Sequence, residues 1–158
     1  MCITFLEVAF MKIISFSPFG YEGELVTVEV DLRRGIPAVD LVGLADSAVK
    51  EARDRMRVAI RNSNFDFPQE RVLISLSPAD VKKEGSGFDL AIALGVLQEQ
   101  DKIRTNSKIT AQNEQNLLSC EEKILIMGEL ELSGKIRKVR GVNAAVATAA
   151  ENGVKFCI

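Results

Sequence analysis

SPADVKKEGSGFDLAIALGVL, residues 77–97, runs from a proline-closed strand through a glycine-rich turn into an apolar segment. Phe88 to Gln98 is apolar almost all round, so the sequence predicts a helix buried on most sides. The turn at its mouth, Gly85-Ser86-Gly87, gathers backbone N–H groups that a helix leaves without intrahelical partners. One reading is an anion or phosphate cradle built from Lys82, Lys83, Gly85, Ser86 and Gly87. The other is a capping box, Ser86-x-x-Asp89, which would satisfy the same N–H groups internally. Asp89 and Glu84 would repel a bound phosphate, so the residue types favour the capping box.

Working upstream, Arg71 to Ser77 alternates as a strand, with Val72, Ile74 and Leu76 on one side. A helix is expected at about residues 45–63, where Ala45, Ala48, Val49, Ala52, Met56, Ala59 and Ile60 form one stripe. Asp46 fits its N-cap, and Glu51 with Arg55 makes an i,i+4 pair on the wet side. Before it, Lys12 to Pro18, Leu25 to Leu32 and Ala38 to Val42 read as strands of an antiparallel meander. Residues 1–11 read as an extension or arm ahead of the second methionine, Met11.

Downstream, residues from about 101 to 123 are rich in Asn, Gln, Ser and Thr and read as a polar surface insertion. Ile124 to Leu132 reads as a strand, Ser133-Gly134 as a hairpin turn and Lys135 to Val139 as the returning strand. An Ala-rich helix is expected from Arg140 to Asn152, ended by Gly153, with a strand starting at Val154. This order argues for an α+β fold, a mixed α/β two-layer sandwich with helices on one face of a mainly antiparallel sheet.

Composition excludes several classes of function. The chain contains no histidine, which removes Ser-His-Asp and Cys-His catalysis and most catalytic zinc sites. Cys2, Cys120 and Cys157 are far apart, so neither a disulfide framework nor a zinc knuckle is expected and a cytoplasmic location fits. No metal site and no membrane span is expected. With a formal net charge of −2, only a local basic patch could meet nucleic acid, and Lys135, Arg137, Lys138 and Arg140 form the candidate. A solvated strand edge is the blander account of that run. Gly128 to Ile136, GELELSGKI, superficially resembles a P-loop. Five residues rather than four separate its glycines, and Ile136 stands where magnesium binding needs Ser or Thr.

Several landmarks together resemble one family. They are Pro37 to Leu44 (PAVDLVGL), Ala59 to Ser63 (AIRNS), Ser77-Pro78-Ala79-Asp80, Lys83 to Ser86, Phe88 to Ala93, and Gly128-Glu129-Leu130 with Gly134 and Gly141-Val142. They are similar to the N-terminal domain of magnesium-chelatase-like AAA+ ATPases of the ComM/YifB type. Ala91 departs from the proline usual in that family. The resemblance implies a Lon-protease-domain-like, GHMP-kinase-like fold over residues 12–158, cut off before an ATPase module. It places the Lon serine position on Gly87 and the lysine position on Asn143, so no catalytic dyad is expected. It further implies that ATP and magnesium bind in the missing module, not in this domain. The expected partners are that module, neighbouring subunits of a hexamer, and DNA as a candidate. The resulting expectation is a non-catalytic accessory domain in DNA recombination or competence. Two alternatives stand beside it: a serine peptidase of altered geometry, with Ser86 as nucleophile and Lys82, Lys83 or Lys135 as base, and a phosphate-binding module at the Gly85–Gly87 turn.

Overall fold

The computed structural model describes residues 12–20, 22–106 and 122–158. Strands β1 (Lys12–Phe19) and β2 (Glu22–Arg33) form an antiparallel hairpin with Phe16 opposite Leu25 and Ser15 opposite Val26. Strand β4 (Arg71–Ser77) adds antiparallel to β2, with Leu76 opposite Val28 and Ile74 opposite Val30. Three shorter strands complete a six-stranded sheet: β3 (Val39–Val42), β5 (Lys123–Leu125) and β8 (Phe156–Cys157). The order is β3-β4-β2-β1-β5-β8.

The α+β class holds, and the sheet is more mixed than expected. Its central pairings are antiparallel, but β3 on β4, β5 on β1 and β8 on β5 are parallel. The expected meander is corrected at β3, which joins the far side of β4 rather than pairing with β2. Gly43, at φ +111, lets the chain leave β3: a Cβ there would sit 2.1 Å from the carbonyl oxygen of Leu76.

Strand alternation divides the core in two. Ile13, Val26, Val28, Ile74, Leu76 and Ile124 face helices α1 (Ser47–Asn62) and α2 (Asp89–Asn106) in the main core. Phe16 and Leu125 belong to a smaller cluster on the reverse face, with Ala145, Ala149 and Val154. Helix α3 (Val142–Glu151) therefore packs on that reverse face, correcting the expectation that all helices share one side. The reason is parity: β1 is buried on both faces, with Ile13 on one and Ile14 and Phe16 on the other, so each face needs a cover.

The first helix forms as its stripe predicts, burying Val49, Ala52, Met56, Ala59 and Ile60 behind an Asp46 N-cap that accepts from Val49 N at 2.8 Å. Helix α2 runs on through Asn106, so the expected insertion from residue 101 begins as helix. Residues 107–121 of that insertion and the expected arm at residues 1–11 lie outside the described residues. The expected strand from Ile124 to Leu132 is in fact two. After β5 the chain breaks away to β6 (Glu129–Leu130), which pairs with β7 (Ile136–Arg137) in a separate two-stranded sheet. Gly128 causes the break by bonding across the mouth of α2, donating to Gly87 O at 3.1 Å and accepting from Leu90 N at 3.0 Å. The β6–β7 hairpin closes through Gly134 at φ +87, whose N–H donates to Glu131 O at 2.9 Å.

Met56 is fully buried among these elements. Met56→Ala should lower unfolding stability by roughly 2–5 kcal/mol, read as an earlier urea midpoint. Exposed Arg53→Ala should stay within about 0.5 kcal/mol of wild type.

Candidate functional site

Helix α2 begins with a carboxylate, Asp89, that is fully out of water. A lone buried charge is strongly unfavourable, so Asp89 must be paired. Arg55 supplies the pair as a fork: Nε donates to Oδ2 at 2.8 Å and Nη2 to Oδ1 at 3.0 Å. Leu130 N adds a third donor to Oδ2 at 3.2 Å. The hydrogen bond that Arg55 donates to Asp89 raises the Arg55 pKa above its already high ordinary value. One carboxylate thus ties α1, α2 and β6 together.

One expectation is corrected here. The capping box does not form: Asp89 turns to Arg55, and Ser86 Oγ donates instead to Glu129 Oε2 at 2.5 Å. Buried charge selects the charge-assisted fork over a neutral N–H partner. The expected i,i+4 pair of Arg55 with Glu51 does form, at 3.4 Å, while the half-buried guanidinium also reaches inward to the fork.

A cleft of about 500 Å³ opens beside the turn. Gly85, Ser86 and Gly87 form one wall, Lys138 and Arg140 line it from another segment, and Phe16 contributes an apolar surface. The N–H groups that might have met an anion are largely used: Gly85 N donates to Asp46 Oδ2 at 3.2 Å, Asp89 N to Ser86 O at 3.2 Å and Leu90 N to Gly128 O. Gly87 faces open space, with no atom within 4 Å of where a Cβ would stand.

The five residues of the predicted cradle separate. Lys82 leaves for an ion pair with Glu84. Lys83 is fully buried and its Nζ donates to the carbonyl of Pro78. Burial lowers the Lys83 pKa, with Asp80 and Glu24 opposing the shift. Neither lysine lines the cleft, whereas Gly85, Ser86 and Gly87 do. The basic run also splits. Arg137 is held by Glu131 at 2.6 Å, and its hydrogen bond lowers the Glu131 pKa. Lys138 and Arg140 line the cleft, and Lys135 sits at the hairpin, its carbonyl accepting from Glu131 N at 2.9 Å.

Of the two dyad positions, Gly87 lies in the cleft and Asn143 is exposed in the first turn of α3. A serine becomes a nucleophile when a nearby base accepts its proton. The Ser86 hydroxyl donates to the Glu129 carboxylate; of the three lysines offered as its base, Lys82 and Lys83 are engaged elsewhere and Lys135 sits at the hairpin, outside the cleft lining. Sequence reasoning missed Glu129 and Arg55 as site-shaping residues. Their partners stand 43 and 34 positions away, beyond any local pattern. Among the described residues no group of His, Cys, Asp and Glu could hold a metal ion, and no helix is long and apolar enough to cross a membrane.

Residues 28–158 match the family described as subunit ChlI of Mg-chelatase, and the chain belongs to that magnesium-chelatase-like family, of the ComM/YifB type. It is 40% identical over 134 residues to an uncharacterized protein of Mycobacterium tuberculosis. It is 38% identical over 135 residues to competence protein ComM of Haemophilus influenzae, and 34% identical over 139 residues to the uncharacterized protein YifB of Escherichia coli. These matches cover 85% to 88% of this chain. The chain spans about a quarter of the length of those relatives, 24% to 25%.

Two measurements probe the frame of this site. Asp89→Ala should destabilise the fold by roughly 3–5 kcal/mol, because it strands Arg55 beside a buried void. The double change Arg55→Met with Asp89→Leu should recover most of that loss in a denaturant titration. Lys83 gives a pH signature. Its pKa is depressed in the folded state, so between that value and the ordinary 10.5 the unfolded chain binds more protons. The stability of wild type relative to Lys83→Met should therefore rise as pH is raised through that window. A flat difference would show that the amine is not desolvated.

Proposed function

We propose that this domain is a non-catalytic assembly and accessory element of a magnesium-chelatase-like AAA+ ATPase that works in DNA processing, in recombination or competence. Membership of the family and the likeness to competence protein ComM of Haemophilus influenzae support the setting. The observation that carries the non-catalytic part is the Ser86–Glu129 hydrogen bond beside Gly87, which leaves the cleft a hydroxyl on a carboxylate and a bare backbone. In this reading ATP and magnesium bind in a separate ATPase module, and the domain's partners are that module and neighbouring subunits of a ring. The protein works in the cytoplasm. DNA is the further partner, touched by Lys138 and Arg140, which give the cleft a basic wall.

A fluorophosphonate probe should label the wild-type chain no more than it labels Ser86→Ala. Serine-dependent labelling would return the domain to the hydrolases. In a full-length ComM-type relative, removing the segment equivalent to residues 28–158 should impair ring assembly, read by mass photometry, while the ATP site stays intact. Unchanged assembly and unchanged DNA-dependent activity would remove the accessory role.

A further inference from the structure

Helix α3, VNAAVATAAE, carries no charged side chain before Glu151. One side is buried against the sheet through Ala145 and Ala149. The opposite side holds Val142, Asn143, Val146, Ala147 and Ala150, all exposed. Val142 is 44% exposed and Val146 41%, and the described residues leave this side open to solvent. Phe19, 85% exposed, extends the surface at the N-terminal end of the helix. It follows Pro18, whose Cβ lies 3.6 Å from where a Cβ on Gly141 would stand. A surface helix ordinarily turns a charged stripe to water, and one without such a stripe belongs in an interior. This face therefore calls for a cover.

The charges at the two ends of α3 show what fits. Arg140 stands just ahead of the positive N-terminal end, and Glu151 stands in the last turn, at the negative end. Both oppose the helix dipole. Neither has an ion-pair partner among the described residues, and no basic residue stands in the last turn to offset Glu151. A second α3 laid antiparallel across the face brings its Glu151 to Arg140 and its Arg140 to Glu151. Val146 lies midway between the two in sequence, so it meets its own copy on a two-fold axis, and Val142 meets Ala150. The small side chains of Ala147 and Ala150 let two such helices approach closely.

We propose that this face of α3 binds a second copy of the chain in a symmetric, antiparallel dimer. DNA does not fit the face, which has no cation between Arg140 and Glu151 to meet a phosphate. The pairing engages Arg140 and leaves Lys138 to the basic wall of the cleft. A ten-residue helix gives a small interface, so the dimer is weak, with a Kd in the micromolar range or above. The proposal goes beyond the accessory role and is tested on this chain by itself, so its failure leaves that role standing.

Sedimentation equilibrium of the chain should show a concentration-dependent dimer. Val146→Glu sets like charges together on the axis and should abolish it. Arg140→Glu or Glu151→Arg alone sets like charges opposite each other and should weaken dimerisation roughly tenfold. The double change restores opposite charges and should return the Kd to within about threefold of wild type. At concentrations where the chain is monomeric, each single charge change should leave the urea midpoint unchanged or raise it, because it removes a charge that the dipole disfavours. A chain that stays monomeric up to millimolar concentration would overturn the proposal. So would a dimer that survives Val146→Glu, or a double variant that pairs no more tightly than the single ones. A monomeric wild type whose urea midpoint falls on Val146→Glu would assign the face to residues of the same chain and likewise overturn it.

Discussion

The fold hangs on one buried charge. Asp89 stands at the first turn of α2 with no access to water, and a carboxylate there is tolerable only with donors on several sides. Arg55 and the Leu130 amide supply them, and in doing so fix where α1 and the β6–β7 hairpin must lie. The position of Glu129 follows, since it is the neighbour of Leu130, and with it the hydrogen bond that occupies Ser86. The engagement of Ser86 by Glu129 is thus downstream of an ion pair that holds the architecture.

That dependence explains what could be read from the chain and what could not. Periodic segments were legible. The α1 stripe, its Asp46 cap, the alternation of β4 and the turn at Gly134 all formed where the local pattern put them. Each of these rests on interactions within a few residues. What escaped was set by distant partners. Arg55 fits a surface i,i+4 pair perfectly well until Asp89, 34 positions away, arrives beside it. Ser86-x-x-Asp89 fits a capping box until the same arginine competes for the carboxylate. Lys83 carries no sign in its local sequence that its amine will be buried against Pro78.

The sheet shows the same division. The hairpin of β1 and β2 and the addition of β4 follow from alternation and turn residues. The parallel additions of β3, β5 and β8 are long-range choices that hydropathy does not encode. Ile14 and Phe16 of β1, on the face opposite Ile13, were the one available signal that something would cover the reverse side, and α3 does so with Ala145 and Ala149. Small residues suit that task because they let a helix approach a strand already bearing Phe16.

Gly43 has a consequence reaching past its own turn. The backbone there passes so close to Leu76 that even a methyl group would collide with its carbonyl oxygen. A side chain at that position would wedge the outermost parallel strand away from its neighbour and disturb the approach to Asp46, whose carboxylate steadies both a helix start and the Gly85 turn. Damage to the cleft could thus originate at a residue that touches nothing in it, and a screen for impaired variants would find the hinge before it found the mouth.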